Sequence, residues 1–257
     1  MRIATYNVNG INGRLANLLA WLDHARPDAV TLQELKAPDG KFPAAALERA
    51  GYGAVWHGQS RWNGVAILAR GHAPTLTRRG FPGDPTPEAS RYIEAAVGGV
   101  LIGGLYAPNG NPWPGSKFDG KLAWLAAFGA YAATLLAADV PVVLAGDYNV
   151  IPTDFDLYRP GALGGNALVQ PEARAAYAAL VAQGWTDALR HLNPDRPMFT
   201  FWDYFRNAFA RDAGLRLDHL LLSPAVAARL TAAGVDRDAR AGVGSSDHAP
   251  AWIVLGG

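Results

Sequence analysis

The sequence contains no cysteine, and its charged residues nearly cancel. The absence of thiols excludes a disulfide framework, a thiolate zinc site and a cysteine nucleophile. Any metal ion must therefore bind to oxygen or imidazole ligands. The formal net charge is only +1 at pH 7, so bulk charge does not indicate a polyanionic partner. A nucleic-acid surface would have to be a local patch of basic residues.

Long apolar runs are also missing. No stretch of about eighteen apolar residues occurs, and the N-terminal residues lack the pattern of a secretory signal. These absences predict no membrane partner and a cytoplasmic location. At 257 residues, 50% of them hydrophobic, the chain can bury a large core, and no flexible linker interrupts it. We therefore expect one domain over residues 1–257.

Short apolar runs alternate along the chain with segments whose apolar residues recur at helical spacing. The patterns predict helices at residues 14–22, 43–51, 119–138, 171–183 and 224–234. They predict strands at residues 3–6, 29–34, 54–57, 64–69, 92–97, 100–106, 185–189, 198–202 and 215–222, and a final strand within 245–254. Ser223 is the expected cap of the last helix, and Gly234 its expected end. This alternation is typical of the α/β class.

The most informative apolar run covers residues 142–145 and leads to Asp147 and Asn149. It is short and rich in β-branched residues, which predicts a fully buried strand. Side chains two positions apart in extended backbone point the same way, so Asp147 and Asn149 can share one pocket. Gly146 allows another backbone segment to approach closely there. The alternative interpretation is an Asx turn that only closes the strand.

Other polar residues collect at or near predicted strand ends, where they do not fit the pattern of an apolar core. They are Asn7, Asn9, Glu34, Tyr106, Asp218, Asp247 and His248. Carboxylates and carboxamides without thiols suit a hard divalent cation such as Mg²⁺ or Mn²⁺. Such a cation neutralises phosphate and stabilises a leaving oxyanion, so the set indicates phosphate chemistry.

Asp218 lies inside an apolar segment, where an unpartnered acid would be costly to bury. We expect His248 to be its partner, because a carboxylate that holds one ring nitrogen favours the protonated imidazole. A protonated ring can bind a phosphate oxygen. The alternatives are a structural ion pair between Asp218 and Arg216, and a histidine that is only part of the core.

Six motifs carry a resemblance to a known family. They are Tyr6-Asn7-Val8-Asn9-Gly10, Leu32-Gln33-Glu34-Leu35-Lys36, Tyr106-Ala107-Pro108-Asn109-Gly110, Gly146-Asp147-Tyr148-Asn149, Arg216-Leu217-Asp218 and Ser246-Asp247-His248. In this order they resemble the signature of the exonuclease III type of apurinic/apyrimidinic (AP) endonuclease, within the endonuclease/exonuclease/phosphatase superfamily. The match extends from residue 3 to the last strand. It implies a four-layered α/β sandwich, in which two mixed β-sheets pack face to face with helices outside.

The resemblance implies a Mg²⁺-dependent phosphodiesterase of DNA base-excision repair, in which Mn²⁺ can substitute. The enzyme would cut double-stranded DNA 5′ to abasic sites, with 3′-to-5′ exonuclease and 3′-phosphatase or 3′-phosphodiesterase activity. Glu34 would be the principal metal ligand, and the further candidate ligands are Asn7, Asp147, Asn149 and Asp247. The residues implied in catalysis are Tyr106, Asp147, Asn149, Asp218, Asp247 and His248. Asp147 and Asn149 would hold the attacking water, and His248, backed by Asp218, would contact the scissile phosphate.

The expected partner is double-stranded DNA with abasic sites or blocked 3′ ends, bound by a monomer. Phe201 and Trp202, followed by Asn207, resemble the family segment that forms an apolar pocket for a flipped-out baseless sugar. The candidate DNA contacts are Asn9, Arg61, Asn109, Lys117, Lys121, Phe201, Trp202, Arg206, Asn207, Arg211 and His248. Ordinary core positions for the two aromatic residues, and a solvated face for the basic ones, are the alternatives.

Two positions depart from the family pattern. Leu35 stands where a Thr usually follows the metal-binding Glu, and Asn12 stands where an Arg often follows the Asn-Gly pair.

Two other functions remain open. One is a superfamily phosphodiesterase or phosphatase for RNA, lipid head groups or inositol phosphates, and the other is a module that binds damaged DNA without cutting it. The second is disfavoured, because a non-cutting binder has no need of Glu34 and Asp147 against a polyanion.

Overall fold

The computed structural model describes residues 1–256. Its strands are β1 (Arg2–Asn7), β2 (Ala29–Gln33), β3 (Tyr52–His57), β4 (Val65–Arg70), β5 (Thr75–Arg79), β6 (Tyr92–Val97), β7 (Val100–Tyr106), β8 (Val142–Asp147), β9 (Thr186–Asp187), β10 (Asp218–Leu222), β11 (Leu230–Val235) and β12 (Ala251–Leu255). Its α-helices are α1 (Leu15–Ala25), α2 (Ala44–Arg49), α3 (Ser116–Ala137), α4 (Pro171–Ala182), α5 (Ala188–Leu192) and α6 (Pro224–Ala227). Short 3-10 helices cover Asp39–Lys41, Asp154–Asp156 and Arg237–Arg240.

The strands form two mixed sheets of six strands each. The first sheet has the order β11-β12-β1-β2-β4-β3, and the second has the order β5-β6-β7-β8-β10-β9. Each sheet contains one parallel pair, β1 with β2 and β7 with β8, and α1 and α3 connect these pairs. A parallel pair requires such a crossover, because the chain must return to the same end of the sheet. In each sheet, the carboxyl ends of the two parallel strands therefore lie side by side at the same end of the sheet.

The two sheets pack face to face over a core of aliphatic side chains. Ile3 of the first sheet and Val143 of the second are both in this core and are 0% exposed. The outer face of the first sheet is covered by α1 and α2, with Leu18 in that contact. The outer face of the second sheet is covered by α3 and α4, with Trp124 in that contact. This arrangement confirms the four-layered α/β sandwich.

Helix α3 is long and apolar enough to cross a membrane by length and composition, with a mean hydropathy of 1.3 over the relevant window. Its position in the fold explains that composition. Trp124, Phe128 and Leu125 of α3 are buried against Tyr92 and Leu144 of the second sheet. The helix is therefore a core element of the outer layer.

The prediction of a helix at residues 224–234 is wrong. Helix α6 ends at Ala227, and the following residues form β11, which pairs with β12. Gly234 lies in β11, where a Cβ atom would come within 2.6 Å of the Trp252 ring. Ser223 does not cap the helix with its side chain, because its Oγ accepts the backbone N–H of Val142 over 3.0 Å. Sheet pairing thus outweighs the local helical pattern.

Three predicted strands are also partly wrong. The segment after Asp187 turns into α5, because the Asp187 carboxylate accepts the Arg190 backbone N–H at 3.2 Å and caps the helix. Residues 198–202 contribute only an isolated bridge at Phe201, and β10 begins at Asp218. Strand β5 was not predicted, because all five of its residues are exposed and it carries no apolar alternation.

Candidate active site

Strand ends from both sheets meet at one edge of the sandwich. Asn7 ends β1 and Asp147 ends β8, and these two central strands contact each other across the core. Within the second sheet, Asp147 pairs with Tyr106 of β7 and with Asp218, the first residue of β10. Gly146 is required here, because a Cβ atom would come within 1.9 Å of the Leu105 carbonyl oxygen. The close backbone approach expected at Gly146 is confirmed.

Asn7 links two carboxylates at this edge. Its Nδ2 donates to Glu34 Oε1 over 2.9 Å and to Asp147 Oδ2 over 3.0 Å. Its Oδ1 accepts the backbone N–H of Asn9 over 3.0 Å. Asn7 and Asp147 are buried, whereas the Glu34 side chain is 17% exposed. The amide thus holds the two carboxylates close together, with Glu34 on the accessible side.

A lysine and a second amide complete the accessible side. Lys36 Nζ lies 2.8 Å from Glu34 Oε2 and donates to Asn9 Oδ1 over 2.5 Å. Asn9 Nδ2 donates to Asp247 Oδ1 over 3.0 Å. Asn9, Glu34 and Lys36 all have positive φ, at 47°, 52° and 50°. Non-glycine residues hold this conformation only where their surroundings enforce it, so local strain aims these side chains into the site.

Asp218 and His248 make the contact expected from the sequence. His248 Nδ1 lies 2.7 Å from Asp218 Oδ2, and the two side chains are 4% and 0% exposed. The alternative partner Arg216 instead bonds to two other aspartates. His248 Nε2 lies 3.8 Å from Asp147 Oδ2, which is an ion-pair distance and not a hydrogen bond. The ring therefore lies between two carboxylates and is anchored by one of them.

The acids and the histidine shift one another's proton affinity. Burial alone would lower the pKa of His248, but the carboxylates of Asp218, Asp147 and Asp247 raise it to about 10. The ring is therefore a cation at neutral pH. Burial, with the charges of Asp218 and Glu34, raises the pKa of Asp147 to about 7, against the opposing effect of His248. A carboxylate in this range can accept a proton near neutral pH.

Asn149 is held from three sides. Its Nδ2 donates to the Ala107 carbonyl over 2.9 Å, and its Oδ1 accepts Asn109 Nδ2 over 3.0 Å. Its backbone N–H donates to Asp147 Oδ1 over 2.9 Å, which is an Asx turn. The alternative interpretation of this pair is thus correct as local geometry. The turn also fixes the direction of the Asn149 side chain at φ 51°.

Tyr106 presents a neutral hydroxyl beside the carboxylates. Burial, followed by the charges of Glu34 and Asp147, raises the pKa of Tyr106 well above its ordinary value. The guanidinium of Arg91 lies over the Tyr106 ring, 5.2 Å from its centroid. The phenol therefore remains a hydrogen-bond donor at any physiological pH.

Two groups of side chains offer ligands for a metal ion. Asp147, Asp218 and His248 place ligand atoms within 4.8 Å of one another, but a protonated imidazole has no lone pair for a metal. The oxygens around Glu34 fit a hard cation better, because that carboxylate is accessible and already lies against the Lys36 ammonium. Mg²⁺ could therefore bind at Glu34, with Asn7, Asp147, Asn149 and Asp247 as candidate neighbouring ligands.

A cavity of about 580 Å³ opens beside these residues. Its lining includes Asn109, Phe201, Phe205, Arg206, Arg211 and Leu215. The Phe201 ring centroid lies 5.0 Å from that of His248, so Phe201 separates the cavity from the charged site. The mixture of aromatic, aliphatic and arginine side chains suits a sugar or a base next to a phosphate.

Trp202 does not line this cavity. It is 1% exposed, its Nε1 donates to Asp212 Oδ1 over 3.0 Å, and its ring borders a separate cavity of about 500 Å³. Adjacent residues in extended backbone point to opposite sides, which separates Trp202 from Phe201. The prediction that both aromatic residues form one pocket is therefore wrong for Trp202. Asn207, at φ 51°, is exposed in the following loop and does not line the cavity either.

Four basic candidates are exposed, as phosphate contacts require: Arg61, Lys117, Arg206 and Arg211. Lys121 is different, because it is 0% exposed on α3 and bonds only to backbone carbonyls. Burial lowers the pKa of Lys121 to about 7. The prediction of a direct phosphate contact is wrong for Lys121 in this structure.

Two residues that support the site were not singled out from the sequence. Ser246 Oγ donates to the Asn7 carbonyl over 2.6 Å and accepts the His248 backbone N–H over 3.2 Å. Thr200 Oγ1 accepts the backbone N–H of Asp218 over 3.1 Å. Ser246 could have been found from its place in the Ser-Asp-His motif, whereas nothing local marks Thr200.

The two departures from the family pattern lie at different kinds of position. Leu35 is buried in the core, and the side chain of Asn12 bonds to a backbone carbonyl.

Comparison with known proteins agrees with this geometry. The profile of the Endonuclease/Exonuclease/phosphatase family matches residues 4–248. Exodeoxyribonuclease III of Haemophilus influenzae is 33% identical over 264 residues, which cover 98% of each chain. A variant of the 3′ phosphatase NExo from Neisseria, bound to a product DNA hairpin, has a TM-score of 0.94 at 37% identity over 99% of each chain. An AP endonuclease from Archaeoglobus fulgidus has a TM-score of 0.94 at 33% identity over 99% of each chain. The chain therefore belongs to the Endonuclease/Exonuclease/phosphatase family.

Proposed function

We propose that the protein is a Mg²⁺-dependent phosphodiesterase of DNA repair that cuts double-stranded DNA 5′ to abasic sites and also clears blocked 3′ ends. One observation carries this proposal. A cationic His248 and an Asp147 of raised pKa face each other across 3.8 Å, beside the accessible Glu34 carboxylate. Together they supply a cation for phosphate, a base for water and a metal ligand. The names of the relatives, an exodeoxyribonuclease, a 3′ phosphatase and an AP endonuclease, support the same class of reaction.

His248 acts on the phosphate. Because Asp218 holds Nδ1, the charged ring can present its Nε2–H to a non-bridging phosphate oxygen. The ring is buried and held in place, so this donor needs no reorganisation when negative charge develops in the transition state. Tyr106 adds a neutral O–H donor for the same phosphate or for the leaving oxygen.

Asp147 acts on the attacking water. It accepts the water proton as the new P–O bond forms, and the bond between phosphorus and the 3′ oxygen breaks. Asn149, fixed by Ala107 and Asn109, holds the water or a phosphate oxygen in line. When bound at Glu34, a divalent cation, Mg²⁺ or in its place Mn²⁺, neutralises the phosphate and stabilises the leaving oxyanion. Asn7 keeps Asp147 and Glu34 in register for both tasks.

The cavity beside Phe201 provides the selectivity. The aromatic and aliphatic side chains of its wall suit a baseless sugar flipped out of the duplex, or the terminal residue of a 3′ end. Arg206 and Arg211 line this cavity, and exposed Arg61 and Lys117 bind the flanking phosphates. The proposal takes a monomer as the working unit. We place this enzyme, one domain over residues 1–257, in the cytoplasm.

The test uses a labelled duplex with one tetrahydrofuran abasic analogue, incubated with Mg²⁺ or with EDTA. Two companion substrates are the same duplex without the analogue and a nicked duplex with a 3′ phosphate at the nick. We expect a single cut 5′ to the analogue, and release of the 3′ phosphate, only with metal. The His248→Asn variant serves as the inactive control. Cutting at positions unrelated to the analogue, or cutting in EDTA, would refute the proposal.

The same experiment separates the alternatives. A non-cutting damage-binding module would retard the abasic duplex on a gel in Mg²⁺ and in Mn²⁺ but leave it whole. A superfamily phosphodiesterase for another substrate would neither bind nor cut the duplex. In that case, release of phosphate from RNA ends, inositol phosphates and lipid head groups would identify the substrate class.

A further inference from the structure

We propose that Lys121 is a positioning residue for the reaction, which sets Asn109 and Asn149 by holding the main chain of both. The proposal rests on the proposed function for its kinetic test and on geometry alone for its structural test. It replaces the direct phosphate contact that the sequence predicts for Lys121.

The Lys121 ammonium is surrounded by backbone oxygens. Nζ donates to the carbonyls of Asn109 at 3.1 Å, Asn149 at 2.5 Å and Ala167 at 3.5 Å. The side chain is 0% exposed, and within residues 1–256 it has no salt-bridge partner. Like a bound monovalent cation, the Lys121 amino group holds several backbone carbonyl oxygens around one point.

The three carbonyls come from three different loops. Asn109 follows β7, Asn149 follows β8, and Ala167 precedes α4. The side chains of Asn109 and Asn149 bond to each other over 3.0 Å at the edge of the site. Asn111 Oδ1 accepts the Ala167 backbone N–H over 2.9 Å, which ties the third loop to the first. Lys121 Nζ adds one donor group that bonds to the main chain of all three loops.

Stability alone does not explain this arrangement. A buried amino group without an anionic partner is costly, and an apolar side chain would remove that cost but would leave three carbonyls without this donor. The fold also restricts Gly110, where a Cβ atom would come within 2.7 Å of Lys121 Cδ. The main chain therefore passes so close to the lysine stem that Gly110 cannot carry a side chain. What the Nζ–H donors provide is a fixed orientation of the Asn109 and Asn149 peptides, and hence of their side chains.

Lys117 offers a matched comparison. It lies one helical turn before Lys121 on α3 and is exposed. The two lysines have the same side chain and lie on the same stripe of the surface of α3. Only Lys121 is covered by the loops. A phosphate contact and a positioning role can therefore be separated by making the same substitution at each.

The kinetic test compares Lys121→Met with Lys117→Met in the full chain on the abasic duplex. Methionine keeps most of the stem and removes the charge. We expect Lys121→Met to lower kcat about 10- to 100-fold, since a displacement near 1 Å costs about that much, with the salt dependence of KM unchanged. We expect Lys117→Met to raise KM and to reduce the slope of log KM against log salt by about 1, with kcat retained.

The structural test does not depend on activity. The side-chain amide signals of Asn109 and Asn149 in ¹⁵N NMR spectra should shift in Lys121→Met and stay in place in Lys117→Met. If Lys121→Met does not fold, Lys121→Gln, which keeps two donors, takes its place. Either a loss of salt slope in the Lys121 variant or unmoved amide signals with native kcat would overturn the proposal. A wild-type protein that cuts no DNA would refute the proposed function alone, and the amide signals would still decide the role of Lys121.

Discussion

The carboxylate of Asp218 holds His248 through one oxygen only. Oδ2 lies 2.7 Å from His248 Nδ1, while Oδ1 is buried and has no hydrogen-bond partner within residues 1–256. A buried carboxylate with a free oxygen is stabilised chiefly by the charge beside it. The two residues therefore form one unit, in which the acid fixes the ring in place and raises its pKa.

We expect Asp218→Asn and His248→Asn each to reduce the cleavage rate by about 10²- to 10³-fold, a range typical of a lost transition-state hydrogen-bond donor. The double variant should be little worse than either single one, because residues that act as a unit are not additive. The measurement is kcat on the abasic duplex for the four proteins. Losses that multiply fully would mean that the two residues act independently.

The charge state of His248 gives a second readout of this pair. Its pKa, about 10 in the folded protein, is raised from 6.5, so folding takes up a proton. The resulting stability is complete below about pH 6.5 and is lost as pH rises through about 10. We expect the melting temperature of the wild type to fall relative to that of His248→Asn over this interval. Ring signals of His248 that titrate near 6.5 would contradict this expectation.

Asp147 is expected to reduce stability while it serves the reaction. Burial raises its pKa from 3.8 to about 7, so the folded state disfavours the charged form. The penalty is absent only well below the ordinary pKa of 3.8, where both states hold the proton, and is complete above about pH 7. We expect Asp147→Asn to abolish cutting and, in EDTA at pH 8, to raise the melting temperature by roughly 2–10 °C, for about 1–3 kcal/mol. The difference in melting temperature should shrink steadily as the pH falls from about 7 toward 3.8.

The sequence predicted several of the polar side chains that meet at one edge of the sandwich, because those residues follow from local rules. Asp147 and Asn149 end a buried strand, and Asp218 is an acid within an apolar run that requires a partner. Such signals depend on a few neighbouring residues. The motif order then identified the sandwich, which alternation alone could not distinguish from other α/β folds.

The errors arose where burial depends on distant segments. Lys117 and Lys121 occupy the same stripe of α3, but only Lys121 is buried, in contact with the loops at 109–111, 149 and 166–167. In the same way, residues 230–235 have a helical pattern but become a strand, because β12 lies beside them. Neither the contact of Lys121 with these loops nor the pairing of β11 with β12 can be predicted from the neighbouring residues in the sequence.

A further prediction concerns the proposed cation site at Glu34. Lys36 already lies 2.8 Å from Glu34 Oε2, so a divalent cation must displace the ammonium from that oxygen. We expect Glu34→Gln to weaken Mn²⁺ binding strongly and Lys36→Gln to tighten it, as measured by calorimetry or electron paramagnetic resonance on the protein without DNA. Lys41→Gln, at an exposed lysine outside the site, is the matched control. Weaker Mn²⁺ binding by Lys36→Gln would show that the ammonium does not compete with the metal.

The last prediction concerns the two adjacent aromatic residues, which the structure assigns to different tasks. Phe201 lines the cavity beside His248, whereas Trp202 is buried behind it and bonds to Asp212. We expect Phe201→Ala to reduce the preference for abasic over intact DNA by roughly 5- to 150-fold, by analogy with 1–3 kcal/mol for a lost stacking surface. Its melting temperature should change less than that of Trp202→Ala.

Trp202→Ala should behave in the opposite way. Removing a fully buried tryptophan costs about 3–5 kcal/mol of unfolding free energy, while the ratio of rates on the two substrates stays as in the wild type. Because Phe201 also packs on the His248 ring, the ratio of rates, and not kcat alone, is the quantity to compare. Loss of the preference in a Trp202→Ala protein of native melting temperature would place the selective wall at Trp202, against the geometry of the cavity.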